Sequence, residues 1–549
     1  MPGTPARPRA SVHAQLWQVA AAAVAAAVCA PLVALGIAAS RGSPDLWGHL
    51  FAFVLPSAIG ESLLLLAGVA VVAGVLGTGT AWLVTAYDFP GRRTLDWALL
   101  LPLAVPTYIV AYAYLDLLHP VGPIQTALRA LLGIDSPRDF RLPDIRSMPG
   151  AILLLGCVLY PYVFLPTRAL FLMQTANLID AARTLGTTRG RIFFRVALPM
   201  ARPAVAIGLS LALLEALNDI GASEFLGVRT LTVSIYTTWT TRSDLPGAAQ
   251  IALAMLAFVV GLVLLERWAR RHRGYANDAQ HPRPLLRHRL RGAASALAVL
   301  ACVLPIAVGF LAPAAYLVHA TVLRIRLFGI AEALWTETRN TVVLSILATA
   351  LTLGGGLLVV VASRIHRGRA TDLFVRLASL GYAVPGTVLA IGLLPVVVGL
   401  DTAIDALATQ AIGVSTGLLI LSSGAALVYA YTVRFLAVAA GGVEAGFGRI
   451  STSLDAAART LGESAGGMLR RVHIPLTRPA LATAALLVFV DCMKELPATL
   501  LLRPVGVETL ATHLYGEAVR GTYEDAAIAA LLIVVAGLVP VILLARVGR

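Results

Sequence analysis

The sequence predicts an all-α membrane protein of about twelve transmembrane helices, built as two six-helix halves of the same orientation. Three observations carry this reading. Of the 549 residues, 58% are hydrophobic and only 13% are charged, about half the roughly 25% charged residues of a soluble domain. Apolar stretches near the length that crosses a bilayer, about 20 residues, recur along the whole chain. The second half of the chain also repeats motifs of the first, in order and in register.

Composition excludes several classes at once. A mean hydropathy of +0.82 rules out a disordered chain, a coiled coil and an ordinary soluble enzyme. The excess of 43 basic over 29 acidic residues gives a net charge of +14. Nearly all the basic residues are arginines, and many lie in short segments between apolar stretches, which reads as positive-inside topology and not as nucleic-acid binding. Cys29, Cys157, Cys302 and Cys492 each lie in an apolar segment without metal-ligand spacing, so they read as buried structural thiols. The sole lysine is Lys494, followed by Glu495. A phosphate-binding P-loop, whose lysine must follow its glycines, cannot exist here.

The elements follow in order. A tail with Arg7 and Arg9 precedes an apolar run, Leu16 to Ala39, too long for the core of a signal peptide. Spans are expected near 58–86, 97–118, 149–172, 203–223 and 246–265. A basic linker from Arg267 to Arg291 contains eight arginines. Further spans are expected near 293–318, 339–362, 374–399, 412–438, 479–500 and 526–545. The arginine bias puts the tail, the linker and the C-terminal end on the cytoplasmic side of the inner membrane, and six spans between each pair satisfy parity. The segment 129–146, with four arginines on the expected outer side, runs against that bias.

The repeat is explicit. Ala104-Val105-Pro106 recurs as Ala383-Val384-Pro385, and Gly77 recurs as Gly356. Further on, Ala182-Arg183-Thr184-Leu185-Gly186 recurs as Ala458-Arg459-Thr460-Leu461-Gly462, and Arg202-Pro203-Ala204 as Arg478-Pro479-Ala480. An even number of spans separates the copies, so the repeat is parallel, and a pathway between the two halves is the natural inference.

The repeated loop lies between the fourth and fifth spans of each half. It reads Asp180-Ala181-Ala182, three residues, Gly186, nine residues, then a segment ending in Pro199; the second copy reads Ala456-Ala457-Ala458, then Gly462, then Pro475. Alanines favour a short helix. The glycine suits a left-handed C-cap, and Pro199 and Pro203 are expected to break the chain before the next span. The small residues form a face that another protein could approach closely.

At these residues the chain resembles the permease subunits of ABC importers, whose loops carry Glu-Ala-Ala, three residues, Gly, nine residues and Ile-x-Leu-Pro. The resemblance runs from about residue 58 to the C-terminus. It implies type I importer transmembrane domains at 58–266 and 339–549. Residues 1–57 (tail, first helix and outer loop) and 267–338 (linker, seventh helix and outer loop) then act as joiners. It also implies coupling helices seated on two copies of a separate ATPase subunit, a periplasmic or extracellular substrate-binding protein, and ATP used only by that partner. No cofactor, metal or catalytic residue is expected on this chain. Asp180 replaces the family's glutamate in the first copy. Ala456 stands there in the second, with Asp455 just before, so the salt bridge of that glutamate is not expected in the second half.

Charges inside spans are costly and mark functional candidates. Glu215, Asn218 and Asp219 lie in the fifth span; Asp491, Lys494 and Glu495 lie in the eleventh, Glu215 matching Asp491 and Asp219 matching Glu495. Glu215 is about 18 Å beyond Pro203, near mid-bilayer. These groups either line a pathway or pair internally, as Lys494 can with Asp491. The stretches around them resemble the fused two-half permeases of ferric-iron importers, and carboxylates suit a hard cation. Related importers for thiamine or phosphonates, and a twelve-helix secondary transporter, are the alternatives. Nothing resembles the active site of a membrane enzyme.

Overall fold

A computed structural model describes residues 12–42, 48–174, 187–271, 287–365 and 368–547. Among the described residues, eleven helices are long and apolar enough to cross a membrane, or twelve if a bent pair, Arg92–Ala104 with Thr107–Leu117 at 91°, counts as one span. The fold class expected from composition is the one observed. Among the described residues the one sheet pairs two-residue strands, β1 (Tyr87–Asp88) and β2 (His288–Arg289).

The described chain forms two compact units. One comprises the chain up to Gly42 together with Thr336–Thr509, the other Ser43–Trp335 together with Leu510–Arg549. Each unit thus takes peripheral helices from the opposite half of the sequence.

In the first of these units, helix α1 (Val12–Ser40) contains Pro31. Proline lacks an N–H, so the carbonyl four residues earlier loses its partner. That carbonyl, Ala27 O, accepts instead from the Tyr429 hydroxyl at 2.6 Å, which satisfies a polar group that lipid could not.

In the other unit, α2 (Leu55–Ala86) packs along α3 (Met148–Gln174). Gly77 permits the close approach: a Cβ there would lie 2.6 Å from Val163 Cβ and 2.8 Å from Tyr160 O. Its repeat partner Gly356 serves the same purpose in α4 (Glu332–Ile365), where a Cβ would lie 3.0 Å from Ala440 N. The repeated glycine is therefore a packing requirement in both halves.

Two expectations of continuity are corrected. Pro203 was expected to break the chain, yet it lies inside a continuous helix, α5 (Leu198–Asn218), as Pro479 lies inside α6 (Ile474–Met493). Each helix is preceded by one π-helical turn, Phe193–Ala197 and Leu469–His473, and Pro199 and Pro475 occupy the first turn, where a missing N–H costs little. The third span of the first half, expected to run through 97–118, is instead bent by 91° between Ala104 and Thr107. After Thr107–Leu117, the prolines at 120 and 123 open a gap before a short helix, Pro123–Leu132. The matching stretch of the second half has no proline there and runs unbroken over Gly386–Ile412. Gln125 donates to Leu118 O and Arg129 to Pro120 O, both at 2.7 Å. Arg129 is thus 5% exposed and spent inside the protein, which removes one arginine from the segment that ran against the charge bias.

Candidate functional site

The two loops and the intramembrane charges are built on matching elements. Of the first loop, Asp180, Ala181, Ala182 and Gly186 lie outside the described residues, and Pro199 begins α5. The second loop is described throughout. Helix α7 (Thr452–Thr460) carries Ala456, Ala457 and Ala458. Ala456 and Ala457 are exposed and Ala458 is buried. Gly462 has φ +83°, the left-handed conformation expected of it, with open space where a Cβ would be. Pro475 lies in the first turn of α6. Leu461 beside the glycine is 84% exposed, an apolar side chain left without cover.

A clasp holds this loop to three spans. Arg364, near the end of α4, pairs with Asp455 on α7 at 2.7 Å. His473, just before α6, meets the other oxygen of Asp455 at 2.8 Å. Arg364 also donates to Phe447 O at 2.8 Å and Ile450 O at 3.0 Å, past the end of α8 (Ala425–Phe447). Burial raises the Asp455 carboxyl, but the hydrogen bonds from Arg364 and His473 outweigh it, so the group titrates below the usual aspartate range. The acid one residue before the motif position thus makes an ion pair inside the chain. The sequence signal was present in Asp455 itself; its partners, 91 and 18 residues away, were not legible.

The intramembrane acids lie at two helix breaks. α5 ends at Asn218, Asp219 adopts an extended conformation, and a short helix, α9 (Ile220–Phe225), restarts. Asp219 Oδ1 accepts from Ala222 N at 2.9 Å. α6 likewise ends at Met493, and α10 (Pro497–Leu502) restarts after it. Glu495 accepts from Ala498 N at 2.9 Å, Thr499 N at 3.0 Å and the Thr499 hydroxyl at 2.7 Å. Arg434 pairs with it at 3.3 Å. Both acids therefore cap a restarting helix, supplying acceptors to orphan N–H groups.

Exposure separates the six candidates. Asp219 and Glu495 are 7% and 4% exposed, and each gives at least one carboxylate oxygen to backbone N–H groups of the helix that restarts beside it. Asn218, next to Asp219 in the chain, is buried as well. Glu215 is half-buried, and Asp491 and Lys494 pair at 2.9 Å with about a third of each side chain exposed. The internal pairing anticipated for Lys494 is present. Arg434 was missed, because nothing in the sequence tied it to an acid 61 residues away. Among the described residues no group of three or more His, Cys, Asp and Glu side chains could hold a metal ion.

The profile of the binding-protein-dependent transport system inner membrane component matches the chain twice, over residues 70–273 and 354–549. The chain belongs to this family. Its relatives are named as transport permeases, so this permease subunit is not an enzyme. It is 24% identical over 493 residues to the Fe(3+)-transport system permease protein FbpB 2 of Haemophilus influenzae, covering 89% of each chain. It is 31% identical over 197 residues to the molybdenum transport system permease protein ModB of Escherichia coli, covering 35% of this chain and 82% of that one. It is 30% identical over 199 residues to the putative 2-aminoethylphosphonate transport system permease protein PhnU of Salmonella typhimurium, covering 36% and 68%. Two matches to one family explain the internal repeat: the permease is a fused pair of transmembrane domains.

Proposed function

We propose that this permease forms the path for ferric iron in a binding-protein-dependent ABC importer of the inner membrane, with both ends and the linker cytoplasmic. One observation carries the substrate: the iron permease aligns across both halves, covering 89% of each chain, whereas the molybdenum and aminoethylphosphonate relatives align over little more than a third of this one. Two copies of a separate ATPase would seat on the two loops, with α7 and the exposed Leu461 as the second seat. A substrate-binding protein would deliver iron from outside. The half-buried Glu215 and the Asp491–Lys494 pair are the proposed lining, while Asp219 and Glu495 hold the helix breaks beside it.

The test is uptake in a strain deleted for the gene, comparing ferric iron, thiamine, 2-aminoethylphosphonate and molybdate. Loss of iron uptake alone is expected. Loss of aminoethylphosphonate uptake with iron untouched would support the second reading, which rests on the 30% identity to PhnU. For the lining, replacing Asp491 by Asn together with Lys494 by Met removes both charges and strands neither. Reduced uptake at normal abundance is expected; normal uptake would remove the pair from the pathway.

A further inference from the structure

In the unit that contains α2, an open groove of about 1050 Å³ lies where β1 meets β2. Its mouth is polar and its wall is apolar. Arg289 and Arg291 stand at the mouth with Asp88, and Leu290, Val299, Leu300 and Val303 form much of the wall. Apart from Leu290, these wall residues belong to helix α11 (Gly292–Ile306) at the start of the seventh span.

The arginines are held and not merely tethered. Asp88 and Arg289 are register partners in the parallel strand pair, and Leu290 N donates to Asp88 O at 2.9 Å. Among the described residues, neither Arg289 nor Arg291 has a carboxylate within ion-pairing distance. Asp88 at the rim is engaged by Arg92 at 3.4 Å, and Asp96 is spent on Arg168 through two contacts of 2.6 Å. Arg287 feels the same crowding: burial first, and then the like charge of Arg92, pull its pKa below the ordinary arginine value. The rim therefore carries uncompensated positive charge directly above an apolar slot at a membrane boundary. From Ser295 to Val303 that slot runs about 12 Å along the helix.

We infer that this groove holds one anionic phospholipid from the leaflet that faces the linker, its phosphate on Arg289 and Arg291 and one acyl chain along α11. Basic pockets between spans at such a boundary select anionic head groups. A zwitterionic head group brings its own cation to an already crowded rim and gains less. Bound there, the lipid fixes the point where the linker turns into the seventh span.

The test uses the full chain in nanodiscs of phosphatidylcholine, with and without phosphatidylglycerol. Native mass spectrometry counts retained lipid, and thermal unfolding reads stabilisation. The wild type is expected to keep one phosphatidylglycerol and to gain stability from it. The double variant Arg289→Gln with Arg291→Gln should lose at least about tenfold in affinity for that lipid, with unfolding in pure phosphatidylcholine unchanged. Leu300→Trp, which fills the exposed wall and leaves the rim charged, should lose retention too. If the double Gln variant retains phosphatidylglycerol as the wild type does, or phosphatidylcholine is held equally well, the inference fails. It also fails if inorganic phosphate displaces the lipid and binds undiminished in Leu300→Trp, since the site would then be a phosphate site.

Discussion

The two helix breaks occupy the same position in the two halves and solve the same problem with different chemistry. At the first, Asp219 caps α9 by accepting from Ala222 N, and among the described residues no arginine pairs with it. The corresponding stretch of α3, from Ala151 to Val163, has no charged residue. At the second, Glu495 takes two backbone N–H groups, a hydroxyl and Arg434. The helix that starts after the repeated Ala-Val-Pro has adjusted to match. It begins with Thr107 in the first half and with Gly386 in the second, where a Cβ would lie 2.1 Å from Arg434 and 2.8 Å from Glu495. The first break depends on a cap, and the second on a cap plus a buried ion pair that the surrounding glycine makes room for.

The largest effect is expected where charge is paired. Glu495→Gln keeps much of the capping but leaves Arg434, whose side chain is 13% exposed, without its carboxylate. Breaking a buried pair from one side costs about 3–5 kcal/mol. Membrane abundance and the unfolding midpoint in detergent should fall sharply. Adding Arg434→Met should restore most of both. If the double variant is no better than the single, the ion pair is not what distinguishes the second break.

A comparable asymmetry exists at the loops. The residues matching Arg364, Asp455 and His473 by repeat offset are Thr85, Ile179 and Ala197, so these three clasp residues are not repeated in the first half. Asp455→Asn should uncouple ATP hydrolysis from uptake in the complex with the ATPase. Uptake per ATP hydrolysed should drop severalfold while the complex still assembles. Because the Asp455 carboxyl titrates below the usual aspartate range, its contribution is present above about pH 4 and lost only as pH falls through its lowered value. Coupling in the wild type should therefore not weaken through Asp455 between neutral pH and about pH 5. A uniform loss of assembly in Asp455→Asn would reduce the clasp to a folding contact.

A smaller effect is expected at Gly462. Nothing stands within 4 Å of a Cβ there, so substitution costs only the left-handed backbone, roughly 1–2 kcal/mol for a residue with a side chain. Gly462→Val should reduce coupling with normal abundance. Gly462→Asn, which tolerates that conformation, should recover most of it. Equal losses in the two variants would point to side-chain crowding against the ATPase instead of backbone conformation.

Much of this was legible in the sequence because it is written in local or periodic signals. The spans follow from apolar length, the repeat from identities in register, and the left-handed Gly462 from a glycine closing an alanine-rich helix. What was hidden depends on long-range contact. Arg434 and Arg364 look like ordinary arginines near spans until the fold brings Glu495 and Asp455 to them. The capping role of Asp219 was hidden for a different reason. Apolar length alone marks a span there, and no residue type around 219 announces that the helix stops at Asn218 and restarts at Ile220. The unbroken passage through Pro203 and Pro479 was missed because an internal proline costs one hydrogen bond and can bend a helix without ending it.

The smallest effect should come from Asp219→Asn, and it sharpens the comparison most. Asparagine caps a helix about as well as aspartate, so the backbone bond to Ala222 survives and the cost is a few tenths of a kcal/mol. Among the described residues no arginine pairs with Asp219, so no partner charge is stranded. Abundance should stay at the wild-type level, and uptake should change by less than about twofold. Asp219→Ala, which removes the cap itself, should cost about 1 kcal/mol and lower the unfolding midpoint measurably. The contrast with Glu495→Gln is the decisive feature: one neutralisation is nearly silent and its repeat counterpart is severe. If Asp219→Asn abolishes uptake at full abundance, the charge of Asp219 acts on the substrate, and the first break belongs to the pathway as well as to the helix.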